Sequence, residues 1–145
     1  MKNIASALIW ISGLSLAQAA TASEPSAREL HAAACVAALD TDTQALAQQV
    51  RAGTQTARAL LLDRLVAGTA FVGDIYLHGE SDESRARELA NQAREAQKSL
   101  TAPELAEVQA ACADEGAKLF SSSNGLQRAA VKHLAKKRMD KLLGA

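Results

Sequence analysis

The stretch Thr56–Leu77, TARALLLDRLVAGTAFVGDIYL, constrains this chain more than any other. On a helix, Leu61, Leu65, Val72 and Ile75 share one side, and Leu62, Val66, Phe71 and Tyr76 widen it over most of the girth. A helix apolar over most of its circumference has to be covered by several neighbours. Asp63, Arg64 and Asp74 interrupt the run and argue against a membrane span. Thr54 or Thr56 is placed to cap its start, and His78-Gly79 to close it. The run is expected to be the central helix, and the rest of the chain must bury it.

What remains can supply only helices. Ala, Leu, Gln, Glu, Arg and Lys dominate, aromatics are 3%, and the only prolines are Pro25 and Pro103. Unbranched side chains lose little rotamer freedom in a helix, and the β-branched residues are too scattered to build strands. Ser26 with Glu29 forms a capping box that opens a first helix, with Cys35, Leu39, Leu46 and Val50 as its inward stripe. Asp40-Thr41-Asp42-Thr43 lies in its middle, either as a solvated turn of one long helix or as a break into two. Gly53 suits the left-handed residue that follows a helix end. Ser81-Asp82-Glu83 places acid at the start of a third helix. Its narrow seam is Ala86, Leu89, Ala93, Ala96 and Leu100, expected to pack along the central helix. Its outer face carries Arg85, Arg87, Glu88, Arg94, Glu95 and Lys98. Thr101 with Glu104, and Pro103 in the first turn, start a fourth helix with Leu105, Val108, Cys112 and Leu119 facing inward. Ser121–Gly125 reads as a turn, and a last helix covers Leu126 to Leu143.

The first residues have a separate role. Lys2 precedes the apolar segment Ile4–Leu16 and the small-residue patterns Ala17-Gln18-Ala19 and Ala20-Thr21-Ala22, the layout of a secretory signal peptide. Residues 1–22 are therefore expected to be removed, leaving a single helical domain over 23–145 in the periplasm or outside the cell. In an oxidising compartment the two cysteines, Cys35 and Cys112, are expected to pair. Both sit among small residues, AAACVAA and AACADEG, which let two helices approach closely. A metal is the rival use of Cys35, because His31 lies four residues before it on the same face. Ligands are then short in number, and no metal or other cofactor is expected. The fold expected is all-α, four to five antiparallel helices arranged as a bundle or as stacked hairpins, with one disulfide staple.

Sliding the chain against itself by 43 residues brings Leu62 onto Leu105, Leu65 onto Val108, Gly73 onto Gly116, Arg85-Ala86 onto Arg128-Ala129 and Leu100 onto Leu143. Within the first copy, Ala70, Gly73, Tyr76, Gly79, Ala86, Leu89 and Ala93 resemble the Sel1-like relatives of tetratricopeptide repeats, over roughly Val66 to Ala96. The second copy keeps Gly116 and Ala129 but has Leu119 and Ser122 where Tyr and Gly would stand. That resemblance implies stacked helical hairpins.

Catalytic patterns are absent from the sequence: no nucleophile elbow, phosphate-binding Gly loop, paired His-Glu zinc motif or Cys-x-x-Cys-His. Asp63 and Asp74 would stand about 16 Å apart along one helix, beyond the roughly 5–9.5 Å of a glycosidase pair. Each is expected to pair with an arginine of a neighbouring helix. His31, His78 and His133 fall on separate helices. The formal net charge of +0 gives no whole-molecule attraction to nucleic acid or membrane, and no specific nucleic-acid binding is expected. The local exception is the last helix. There Arg128, Lys132, Lys136, Lys137 and Lys141 form a candidate anionic-partner face, with Val131, Leu134 and Leu142 on another side. The expectation is a non-enzymatic binding or adaptor module acting through protein contacts. The alternative is an envelope-associated or stress protein that binds an anionic membrane surface or polyanion through that face.

Overall fold

The computed structural model describes residues 23–78 and 82–144, and the signal-peptide reading of 1–22 lies outside them. It contains five helices and, among the described residues, no strand: α1 (Ala27–Arg51), α2 (Thr56–Leu77), α3 (Glu83–Gln97), α4 (Ala102–Ser122) and α5 (Gly125–Leu143). No helix among these residues is long and apolar enough to cross a membrane.

Capping sets most of the helix starts. Glu29 N–H donates to Ser26 Oγ at 3.2 Å while Ser26 N–H donates to the Glu29 carboxylate at 2.8 Å. Asp82 accepts from Arg85 N–H, and Asn124 and Gln127 bond each other reciprocally. At α4 the Thr101 N–H and hydroxyl both donate to Glu104, at 2.7 and 2.6 Å. These two bonds hold the Glu104 carboxyl below the ordinary glutamate range, the hydroxyl contributing most. α2 starts differently from the expectation: its N-cap is Gln55, which makes no side-chain cap. Gly53 has the expected left-handed backbone, with φ +98°.

The Asp40–Thr43 segment does not break the first helix. Thr43 is buried, and its hydroxyl donates to Asp40 O, as Thr41 does to Ala37 O, so neither competes for the helix's N–H groups. One 25-residue helix results, and it is the hub of the fold. α1 packs against all four other helices, whereas α2 packs against α1, α4 and α5. The expectation that every other helix packs on Thr56–Leu77 fails for α3 alone, since α4 and α5 lie more against α2 than against α1. Ala37, Ala38 and Ala47 of α1 are fully buried, and such small side chains bring neighbours close. Gln97 of α3 and Gln109 of α4 accordingly reach the α1 carbonyls of Ala34 and Ala38, at 2.9 and 3.2 Å.

The core has two parts. One surrounds the disulfide: Ala32, Cys35 and Leu39 of α1, Ala67 and Phe71 of α2, Cys112 and Ala113 of α4. The other lies toward the α1–α2 turn and joins Leu46, Ala47, Ala57, Leu61 and Leu65 to Ala135 and Met139 of α5. Cys35 and Cys112 are bonded, with their Cα atoms 5.2 Å apart. The bridge ties α1 to α4 across 77 positions of sequence.

α3 departs from its expected packing. It lies against α1, and α2 and α3 share no substantial interface although they are consecutive. Of its seam only Leu89 is buried; Ala86 and Ala96 are exposed. Charge, expected to be solvated, does much of the docking instead. Arg85 pairs with Glu29, and Arg94 pairs with Asp40, each at 3.2 Å.

Candidate functional site

With α3 docked on α1, one side of the last turns of α2 is left uncovered. Val72, Tyr76 and Leu77 are 42%, 55% and 62% exposed, although their residue types and spacing suit a core. They stand on a ridge between two grooves. The groove toward α1 and α3 has a volume of about 430 Å³ and is walled by Ala33, Val36, Ile75 and Leu89, with Arg87 and Arg138 at its rim. The groove toward α4 and α5, about 410 Å³, is lined by Ala70, Gly73, Leu119, Val131 and Leu134. Val72 and Tyr76 line both.

α5 turns Val131, Ala135 and Met139 inward, a stripe with a spacing of four. Leu134 is not on that stripe, contrary to expectation: it is 54% exposed and forms the far wall of the second groove. Leu126, at 82% exposed, sits at the start of the same helix. The α2–α5 groove therefore carries an apolar lining from both sides, and its floor is set by small residues. A Cβ added at Gly73 would meet nothing within 4 Å, so this glycine leaves space rather than making a close contact.

All five residues of the anionic-partner face are exposed. Two have work inside the molecule. Arg128 donates to the carbonyls of Ser121 and Ser123, closing the C-terminus of α4. Lys132 lies over the Phe120 ring, 5.7 Å from its centre. Lys136, Lys137 and Lys141 have no ion-pair partner among the described residues. Arg138, the neighbouring cation, pairs with Asp40, so that one carboxylate joins α1, α3 and α5.

The aspartates of α2 do not pair as expected. Asp74 faces His78, the residue that caps the C-terminus of α2, 3.5 Å away, and the His78 Nδ1–H donates to the Asp74 carbonyl at 2.6 Å. Asp63 is exposed and has no ion-pair partner among the described residues. The arginine between them, Arg64, pairs with Asp42 of α1 at 2.8 Å.

At the disulfide end, His31 Nε2–H donates to Glu115 Oε2 at 2.8 Å, and the same nitrogen lies 3.9 Å from Cys35 Sγ. The His31 and Phe71 rings stand nearly perpendicular, with their centres 6.2 Å apart. Glu115 was not among the residues expected at this place. The signal was available: once Cys35 faces Cys112, the residue four before the first and the residue three after the second share that face.

No protein-family model, curated protein or solved structure matches this chain.

Proposed function

We propose that this chain is an exported helical binding protein without a catalytic role, and that it takes an apolar, amphipathic segment of a protein partner into the α2–α5 groove. The observation that carries this reading is the ridge itself. Val72, Tyr76, Leu77 and Leu134 are large, apolar and each 42% exposed or more, and they are contiguous through one groove. Contiguous exposed apolar surface on a small protein marks an interaction site more often than scattered single residues do. A tyrosine at its centre supplies the rigid, amphipathic anchor that dominates interface energetics. Export is supported by the signal-like N-terminus and by a disulfide that suits an oxidising compartment.

A second reading rests on Lys136, Lys137 and Lys141, whose charges meet no acid among the described residues. On that reading α5 meets an anionic membrane surface or polyanion, without an interfacial Trp or Phe to anchor it. One pair of variants separates the two. In the protein-partner reading, Val72→Asp with Leu134→Asp abolishes partner binding, and Lys132, Lys136 and Lys137 changed to Glu leave it intact. In the anionic-surface reading the charge reversal abolishes binding, and affinity falls steeply with added salt. Binding that survives the aspartate pair but not the charge reversal overturns the groove proposal.

A further inference from the structure

Four side chains with metal-ligating chemistry meet where α1 crosses α4. α1 contributes His31 and Cys35, one turn apart on one face; α4 contributes Cys112 and Glu115, again one turn apart. The donor atoms of His31, Cys35 and Glu115 all lie within 4.8 Å of one another. His31 Nε2 is 2.8 Å from Glu115 Oε2 and 3.9 Å from Cys35 Sγ. In a tetrahedral zinc site with ligand bonds of about 2.0–2.3 Å, neighbouring donors stand about 3.3–3.8 Å apart. The His31–Glu115 and His31–Cys35 separations bracket that range, and Cys112, bonded to Cys35, adds the fourth donor once its sulfur is released from the bridge. Stability alone does not account for the arrangement. The His31 and Glu115 side chains are 55% and 46% exposed, and exposed pairs of this kind contribute little.

We propose that the disulfide is one of two states of this site, and that after reduction Cys35, Cys112, His31 and Glu115 together hold one thiophilic divalent cation of the Zn²⁺ class. The thiolate, not the bridged sulfur, is the metal ligand. A dithiol reductant transfers two electrons and two protons to the Sγ–Sγ bond, becoming a disulfide itself and leaving two thiols. The cation then displaces the two thiol protons and bonds both sulfurs, the imidazole nitrogen and the carboxylate. Two thiolates, an imidazole and a carboxylate make a donor set suited to Zn²⁺. The cysteines are 1% and 5% exposed within an apolar core, which shields the sulfurs, while the exposed His31 and Glu115 leave an access path. Metal and disulfide are thus alternatives at one place, each tying α1 to α4. None of the four residues lines the α2–α5 groove, so this proposal stands or falls apart from the partner-binding reading.

The test is a titration of the anaerobically phosphine-reduced protein with Co²⁺, followed by displacement with Zn²⁺, with helical circular dichroism recorded throughout. The expected result is one Co²⁺ per chain, with thiolate-to-cobalt charge transfer and the visible bands of a tetrahedral site, both lost on adding Zn²⁺. The oxidised protein should show neither. If reduction alone lowers helicity, one equivalent of cation should restore it. His31→Ala and Glu115→Gln should each weaken Co²⁺ binding by at least about tenfold, while their oxidised forms melt as the parent does. A reduced protein without the thiolate–cobalt band overturns the proposal. So does a chain that stays unfolded with the cation present, or a band whose affinity both variants leave unchanged.

Discussion

At Gly116 a single hydrogen atom decides whether two helices can meet. A Cβ built there would lie 2.7 Å from both Ala67 Cβ and Ala67 O, and backbone cannot give way as a flexible side-chain tip can. Gly116→Ala should therefore force α2 and α4 apart, at a cost of about 1–3 kcal/mol in denaturant unfolding. Gly73→Ala is its opposite. That glycine sits inside a helix with nothing within 4 Å of the added carbon, so the change should stabilise by roughly 0.5–1 kcal/mol. These two residues align in the 43-residue offset, yet only one of them makes a close contact, which sequence alone does not distinguish. Glu104 offers a pH test. Its carboxyl is held low by the Thr101 hydroxyl and N–H, so the unfolded chain takes up a proton first as pH falls. The contribution is complete above the unfolded value and disappears as pH drops through the lower, folded one. Glu104→Gln should flatten the acid side of the stability–pH curve at the low end of the carboxylate range, and leave the neutral region nearly unchanged in shape.

At the scale of elements, the α1 hub explains what could be read in advance and what could not. Helix boundaries were legible because capping residues and turn glycines are local chemistry: Ser26 with Glu29, Thr101 with Glu104 and Gly53 all act as the sequence implies. Packing partners were not. Apolarity singles out α2, whose leucines carry a strong signal, while α1 gains its central position from alanines that bury little area each but permit close approach. The docking of α3 was hidden for a related reason. Its contacts to α1 run through Arg85, Arg94 and Gln97, residue types that ordinarily face water. Asp40 joins this docking to that of α5 by accepting from both Arg94 of α3 and Arg138 of α5. Asp40→Ala should cost about 1 kcal/mol, since partly exposed pairs are weak individually. Arg94→Ala and Arg138→Ala should then be non-additive in a double-mutant cycle, because they share one carboxylate.

For the whole molecule, the disulfide holds the shape and the grooves carry the proposed function. Closing a loop of 77 positions contributes up to about 4 kcal/mol in the chain-entropy picture. Replacing both cysteines with Ala should lower the unfolding free energy by an amount of that order, measured against the oxidised parent. The apolar residues of α2 were expected to be covered all round, and the finding that Val72, Tyr76 and Leu77 are not is the origin of the functional proposal. Sequence could not reveal it, because coverage depends on where α3 goes. The most direct test of that proposal places a photo-crosslinking side chain at position 76 in the exported protein, and in a parallel sample at Gln92, exposed on α3 away from both grooves. One dominant protein adduct is expected from position 76, lost with Leu134→Asp, and none from position 92. Equal labelling from both positions, or an adduct at 76 that Leu134→Asp leaves unchanged, would contradict the proposal.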